Sequence, residues 1–273
     1  MHLWPLRLFA HSPTSRYLSP VITTIGRRAI ESVKVVGRFG QFAGDMVRAL
    51  RDTDTWPPLT AGQMRRMGVD SLPVALFIAA FTGVVLALQA SYTFTGAVPM
   101  YFVGTLVGKT MMLELGPVLA GLALAGRVGA SIAAELGTMT VTEQVDALET
   151  LAYDPQSYLV LPRVIAGTVM FPVVVALAVL IGIVTGWLTS LELLHLSTAE
   201  FVKGLKIFYR FKDTWFGLFK SGTFGFTIAL VGCRVGLGTR GCAQGVGSSA
   251  TRAVVYSAVL ILVLDAFWAL VLL

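Results

Sequence analysis

Long apolar stretches separated by short polar breaks dominate the sequence from residue 71 onward. No charged residue occurs from Ser71 to Gly108, and Leu72–Tyr92 is long enough to cross about 30 Å of hydrocarbon as a helix. A polar, proline-containing turn around 93–99 follows it. Four further apolar spans are found at about 101–126, 164–191, 214–233 and 253–273. The pattern predicts an all-α membrane protein with five transmembrane helices, which places the two termini on opposite sides.

The segment between the second and third spans has a different pattern. Its apolar positions recur at helical spacing, Thr140 and Glu143 have the spacing of a capping box, and Pro155 prevents continuation. We predict a short cytoplasmic helix at about 140–152. Its outward face is acidic, with Glu143, Asp146 and Glu149. Such a helix could transmit a push from a soluble partner to the membrane body, or it could simply cap the bundle.

Composition agrees with a membrane location. Hydrophobic residues make up 55% of the 273 positions and charged residues 13%, against about 25% charged in a soluble domain. An ordinary cytosolic enzyme and a disordered chain are both excluded. Two cysteines and three scattered histidines give no metal-ligand spacing, so no cofactor is expected.

The net charge of +6 is concentrated near the start of the chain. Residues 1–70 hold ten Lys/Arg and five Asp/Glu, and the bases around 22–39 alternate with apolar residues at helical spacing. We interpret 1–70 as a cytoplasmic region with an amphipathic helix at the membrane surface, and 71–273 as the transmembrane domain. The alternative is a soluble helix that packs on a partner protein. Nucleic acid is not an expected ligand.

Lys/Arg distribution predicts that the N-terminus is cytoplasmic, because the basic end adjoins the first span and the first outside loop has no base. The second outside loop, about 192–213, does not fit this rule. It holds four bases interleaved with apolar residues: Lys203, Lys206, Arg210 and Lys212. This alternation predicts a short external amphipathic helix.

Nucleotide-binding motifs fail on their context. Gly108-Lys109-Thr110 ends like a phosphate-binding loop, but the required earlier glycine position holds Val103. The run Gly236–Gly241 matches a dinucleotide pattern without the βαβ unit that it needs. No span contains His, so an intramembrane enzyme also lacks support. We therefore expect a transport subunit, not an enzyme, with energy from a partner or a gradient.

A set of motifs in fixed order gives a more specific indication. They are Phe81–Gln89, Glu114–Val118, Ala125–Gly129, Ala134–Gly137, Thr142–Gln144, Asp154–Pro155 and Leu161–Arg163, followed by Phe219–Ser221 and Leu264–Asp265. Together they resemble the MlaE/YrbE family of ABC-transporter permeases, over the chain from about residue 20 to its end.

The resemblance implies a homodimer in the bacterial inner membrane. Its implied partners are a cytoplasmic ABC ATPase, an MCE-domain (MlaD-like) protein and a STAS-domain (MlaB-like) protein. The implied function is transport of phospholipid or related lipid between the inner and outer membranes. The 140–152 segment would be the coupling helix that docks on the ATPase, through Glu143, Gln144, Asp146 and Glu149.

Charges within the apolar spans are the strongest site candidates, because each costs about 2.5–3.5 kcal/mol at a helix centre and usually faces the bundle interior. Glu114 and Lys220 are predicted to line or gate a lipid cavity, with Lys220 available to a phosphate head group. The alternative is a structural ion pair of Glu114 with Lys109 or Lys220. We expect Asp265 to anchor helix packing.

The resemblance adds weaker cavity candidates, Leu113, Leu115, Thr93 and Ala97. Family members often have Arg before this Glu, where this chain has Leu113, so head-group recognition does not carry over to that position. Three charged residues flank the coupling segment: Arg127, Glu135 and Arg163. We expect them to anchor the helices at the membrane–water interface, with ATPase contact as the alternative. A gradient-driven secondary transporter of a hydrophobic substrate is the competing function, although no inverted repeat is found.

Overall fold

A computed structural model describes residues 55–94 and 98–272, together with 37, 40, 42, 44, 46 and 48–51. The chain divides into two units, Met1–Arg48 and Ala49–Leu273. Ala97 and nearly all of the predicted interfacial helix at 22–39 lie outside the described residues. The second unit carries everything discussed below.

The described residues of the second unit form helices and connecting turns, with no strand. We number the helices α1 (Trp56–Met67), α2 (Leu72–Thr93), α3 (Phe102–Val141), α4 (Gln144–Thr150), α5 (Gln156–Glu192), α6 (Thr198–Ile207), α7 (Phe211–Leu237) and α8 (Ala243–Leu272). Five stretches in the described part are long and apolar enough to span a membrane, namely α1 with α2, then α3, α5, α7 and α8. The predicted all-α membrane fold is confirmed.

Several helices continue well beyond the apolar spans that the sequence indicated. Helix α3 runs to Val141 instead of ending near 126, and α8 begins at Ala243 instead of near 253. The added turns tolerate charge because their side chains find polar partners: Arg127, for example, donates to the hydroxyl of Ser71 at 2.6 Å. Hydropathy identifies only the part of a helix that the membrane hydrocarbon covers, so it underestimates the length of the helix.

Helix α3 contains two π-helical segments, Met111–Leu115 and Ala125–Gly129. Pro117 accounts for the first, since it has no amide hydrogen to bond the carbonyl four residues earlier, at Leu113. The wider turn relieves the proline clash without ending the helix. One backbone carbonyl in the middle of a membrane span is thereby left free to accept another donor.

Glycines allow the central helices to approach within backbone contact. A Cβ on Gly83 of α2 would meet the carbonyl oxygen of Gly182 of α5 at 1.9 Å. A Cβ on Gly186 would meet Val107 of α3 at 2.8 Å. The small-residue face that the Gly182-x-x-x-Gly186 spacing predicts is therefore the face on which α5 packs against α2 and α3.

Helix α6 is held against the start of α3 in the same way. A Cβ on Gly204 would lie 1.7 Å from the carbonyl oxygen of Tyr101, and one on Gly104 would lie 2.2 Å from that of Phe201. Ser197 and Glu200 form a capping box that begins α6. The helix predicted in the 192–213 loop is present, while its position outside the membrane stays a prediction.

The predicted capping box at Thr140 and Glu143 is wrong. Helix α3 passes through Thr140, whose hydroxyl donates to the Leu136 carbonyl at 2.8 Å, one turn earlier. Glu143 has a φ of 59° and makes no side-chain cap. Because the preceding residues are already helical, Thr140 has no free amides to cap. Helix α4 starts only at Gln144 and is shorter than the predicted 140–152.

Candidate functional site

Lys220 lies in the middle of α7 and is fully buried. Its ammonium group donates to Glu114 Oε2 at 2.7 Å and to the Leu113 carbonyl at 3.1 Å, both on α3. Asp265 Oδ1 of α8 lies 2.5 Å from the same nitrogen as an ion-pair contact. We call Glu114, Lys220 and Asp265 the charged triad. It joins three spanning helices at one point.

The sequence explains two of the three oxygens that surround the Lys220 ammonium group. Pro117 releases the Leu113 carbonyl from its helical bond, and the π segment Met111–Leu115 carries Glu114 beside it. Lys220 therefore receives a backbone oxygen and a carboxylate from the same turn. A buried lysine needs several acceptors this close, because desolvating an ammonium group costs several kcal/mol unless protein groups replace its hydrogen bonds to water.

The triad is closed on one side and open on the other. The Lys220 side chain has no exposed surface, whereas that of Glu114 is 39% exposed and that of Asp265 24%. Trp268 on α8 stacks edge-on against Phe216 and Phe219 of α7. Glu114 is thus the member through which a ligand beside the bundle would meet the buried charge.

Of the two ion pairs left open for Glu114, the structure contains the one with Lys220. Lys109 contacts Asp213 instead, at 3.9 Å. Asp265 joins this pair in the structure, although the sequence predicts only a packing role for it; all three triad members are isolated charges in apolar spans. That shared property was the available signal.

Three of the four weaker cavity candidates, Leu113, Leu115 and Thr93, lie among the described residues. Leu113 contributes its carbonyl to Lys220, and Leu115 packs against the apolar cluster that α2, α3 and α5 enclose. Thr93 is exposed at the end of α2, with its hydroxyl bonded to the Gln89 carbonyl in its own helix. Among these three residues, Leu113 is the one that hydrogen-bonds Lys220.

A second polar cluster lies at the end of the bundle that carries α4. Glu135 of α3 forms an ion pair with Arg163 of α5 at 2.9 Å and accepts a hydrogen bond from Arg66 of α1 at 3.4 Å. Arg163 is 3% exposed and also donates to the Leu159 carbonyl at 2.6 Å. These contacts tie α1, α3 and α5 together, which supports a structural role for Glu135 and Arg163.

Helix α4 presents its charges to solvent. Glu143, Gln144, Asp146 and Glu149 are all exposed, while Val145 and Leu148 are half-buried toward the bundle. Beyond its end, Leu151 is 68% exposed and Tyr153 51% exposed. An acidic face with adjacent uncovered apolar side chains is suited to contact with another protein.

The described residues contain no group of three or more His, Cys, Asp or Glu side chains that could hold a metal ion. The triad's carboxylates are occupied by Lys220. What the arrangement offers chemically is fixed charge within an apolar bundle and an exposed acidic surface at one end.

Comparisons with known proteins give consistent results. Residues 60–271 match the family model described as Permease MlaE. A probable ABC transporter permease protein of Rickettsia felis is 40% identical over 243 residues, which are 89% of this chain and 94% of that protein. The intermembrane phospholipid transport system permease protein MlaE of Haemophilus influenzae is 29% identical over 245 residues, again 89% and 94% of the two chains. The chloroplastic protein TRIGALACTOSYLDIACYLGLYCEROL 1 of Arabidopsis thaliana is 35% identical over 224 residues, 82% of this chain and 64% of that protein.

Proposed function

The chain belongs to the MlaE family of ABC-transporter permeases, and from that membership we propose that it moves phospholipid or a related lipid between the inner and outer membranes with energy from a separate ATPase. Its form in the membrane is a homodimer with cytoplasmic N-termini. An MCE-domain (MlaD-like) protein accepts or delivers lipid on the outer side, and a STAS-domain (MlaB-like) protein accompanies the ATPase.

The observation that carries this proposal is the continuity of α3. One helix of forty residues holds Glu114 of the triad and reaches Val141, and two residues separate its end from the start of α4. A force applied to α4 therefore reaches the triad through one helix. Since Glu135 also pairs with Arg163, the same movement involves α5.

Helix α4 supports coupling to an ATPase through its surface. Its two carboxylates and Gln144 are exposed, as is the preceding Glu143, and no ion pair involving them occurs among the described residues. A partner with a basic cleft would find a complementary surface there. The apolar Leu151 and Tyr153 would add buried area to that contact.

The lipid path follows from the cost of moving acyl chains through water. A two-chain lipid exposes roughly thirty methylenes at about 0.8 kcal/mol each, so transfer requires a continuous apolar surface. Helix α8 presents such an apolar surface, since only 11% of its apolar stretch is buried against the rest of the described chain. Two copies would enclose a cavity with Glu114 at its polar point, lined by Leu113, Leu115, Thr93 and Ala97. Lys220 would hold Glu114 in place and meet a phosphate only when the triad opens.

Reconstitution tests the energy source. The chain in liposomes with its ATPase should transfer fluorescent phospholipid in the presence of ATP, and the chain alone should not. ATP-dependent transfer by the chain alone would refute the partner. Transfer without nucleotide that follows an imposed ion gradient would instead support the secondary transporter.

Charge reversal tests the coupling surface. Replacing Glu143, Asp146 and Glu149 together with Lys should abolish ATP-driven transfer while the permease stays folded. The isosteric Gln/Asn triple variant should lie between this variant and the wild type. Glu192→Lys, an exposed reversal at the other end of α5, is the control and should transfer normally. Normal coupling in the Lys triple variant would leave α4 as a surface helix only.

A further inference from the structure

A small cleft lies at the end of the bundle that carries α6. It is formed by the first turns of α3, the end of α6 and the start of α7. Leu205, Phe208 and Met112 supply apolar walls, and Lys109 and Asp213 are its charged residues. The function proposed above assigns no role to this cleft.

The Asp213 carboxylate is buried and incompletely hydrogen-bonded. The residue is 8% exposed, and its Oδ2 atom is buried without a hydrogen bond in the described part of the chain. Lys109 Nζ lies 3.9 Å from this atom, and the Lys109 side chain is 42% exposed. A buried carboxylate ordinarily accepts two or more hydrogen bonds, so this atom has room for a donor.

Neighbouring hydroxyl groups do not supply that donor. Thr105 donates its hydroxyl hydrogen to the Gly204 carbonyl at 2.5 Å. Thr214 donates to the Tyr209 hydroxyl at 3.2 Å. The enclosed part of the cleft has room for about one water-sized group. An ammonium group has this size and carries the N–H donors that the carboxylate lacks.

The surroundings of the cleft are typical of a site beside membrane head groups. Phe211 and Trp215, at the start of a spanning helix, are 73% and 68% exposed, and Lys206, Arg210 and Lys212 are exposed around them. Exposed aromatic residues together with bases at the end of a span are typical of the membrane–water interface. The group that enters the cleft would thus come from a lipid head group.

We propose that this cleft binds the head group of a phospholipid that carries a primary amine, of the phosphoethanolamine class. Its ammonium group donates to Asp213 Oδ2, and its phosphate accepts from the partly exposed Lys109. The inference deepens the proposed lipid transport by giving the head group a binding site, and it rests on that proposal for the identity of the lipid as substrate.

The geometry discriminates among head groups. A trimethylated ammonium has no N–H and is larger than a water-sized space, so phosphocholine would leave Asp213 Oδ2 without a donor. A head group without an amine would bring phosphate to Lys109 but nothing to the carboxylate. Since a hydrogen bond to a charged group is worth about 1.5–3 kcal/mol, ethanolamine should be favoured over choline by about tenfold or more.

The test uses the purified full-length chain in detergent, without ATPase or nucleotide. Its affinity is measured for short-chain phospholipids that carry ethanolamine, monomethylethanolamine, dimethylethanolamine and choline. The affinity should fall along the series, with the largest loss when the last N–H disappears. Equal affinity for ethanolamine and choline would overturn the proposal without any mutation. Free phosphoethanolamine should compete for the site, which separates head-group binding from acyl-chain binding.

Variants locate the effect. Asp213→Asn should abolish the preference for ethanolamine over choline, and Lys109→Gln should weaken both lipids alike. Glu192→Gln, an exposed carboxylate at the same end of the bundle, is the control and should keep the preference. A preference that survives in Asp213→Asn would refute the site.

Failure of the cleft inference and failure of the transport proposal give different experimental results. If the chain binds ethanolamine and choline lipids equally and still transfers them with ATP, the cleft inference fails and the transport function stands. If it binds the amine selectively but never transfers lipid, the cleft is real and the transport proposal fails.

Discussion

Lys220→Met removes the ammonium group at the centre of the charged triad and keeps the length and apolar stem of the side chain. It leaves Glu114 and the Leu113 carbonyl without their shared donor and Asp265 without its ion-pair partner. We expect a large loss of stability, because two carboxylates then face each other in an apolar bundle. The three helices that they belong to lose their common contact.

The magnitude follows from the burial of the partners. Breaking a buried ion pair by removing one member costs about 3–5 kcal/mol, and an unsatisfied buried carbonyl about 1–3 kcal/mol. The carboxylates are 39% and 24% exposed, so water can partly replace the ammonium group and the lower end applies. The two lower ends add to about 4 kcal/mol, which corresponds to a fall in Tm of roughly 8–16 °C for a chain of this size.

The assay is thermal unfolding of the purified chain in detergent. Lys212→Met on the same helix is the matched control, because Lys212 is exposed at the start of α7 and should change stability by less than about 0.5 kcal/mol. A Tm for Lys220→Met equal to that of the control would refute the argument.

A compensating variant separates charge from shape. In the background of Lys220→Met, changing Glu114 to Gln and Asp265 to Asn removes both unpaired charges. The triple variant should recover more than half of the lost stability, since neutral replacement of a whole buried charge cluster is often tolerated. No recovery would indicate that packing, not charge, dominates at Lys220.

Three further predictions concern packing, the second charged cluster and the capping box. Gly83→Ala should lose about 1–3 kcal/mol because its Cβ would lie 1.9 Å from a backbone oxygen of α5, whereas Gly62→Ala, which meets no atom within 4 Å, should gain up to about 1 kcal/mol in the same unfolding assay. Arg163→Met should cost about 3–5 kcal/mol and Arg66→Met less than about 1 kcal/mol, because only the first is buried; equal losses would contradict this. Hydrogen bonds from the hydroxyl and the backbone amide of Ser197 lower the pKa of Glu200 from its usual value, so the carboxylate stabilises α6 fully at neutral pH and loses that effect as the pH falls through the lowered pKa. Amide exchange, corrected for intrinsic rates, should then rise in α6 but not in α7.

The five spans could be predicted from sequence because apolar length alone determines what can cross hydrocarbon. The ends of the helices could not, because they depend on polar partners that are distant in sequence. Arg127 ends an apolar run, yet α3 continues through it since Ser71 of another helix accepts its hydrogen bond. Local hydropathy carries no information about that partner.

Two identical spacing patterns had opposite outcomes. Thr140 with Glu143 and Ser197 with Glu200 both have the spacing of a capping box, and only the second forms one. The first lies in a chain that is already helical, while the second follows a turn in which His195 has a φ of 52°. A cap needs free amides, so the residues before the motif decide whether it acts.

The charged triad could be predicted only in part. Single charges in apolar spans identified Glu114 and Lys220 as a site, and their pairing was among the alternatives. The contribution of the Leu113 carbonyl required knowing that Pro117 produces a π segment instead of a kink or a break. That choice is made by the packing of α3 against its neighbours, which a single sequence does not display.

The unbroken length of α3 has a consequence for how small a motion would suffice. From Glu114 to Val141 the helix extends roughly 40 Å at 1.5 Å per residue, so a rotation of about 5° around the triad displaces the far end by roughly 3.5 Å. Near the pivot the same rotation shifts atoms by only a few tenths of an ångström, within what close-packed side chains absorb. A soluble partner acting on α4 would then move by several ångströms while the apolar interior around the triad stays almost unchanged.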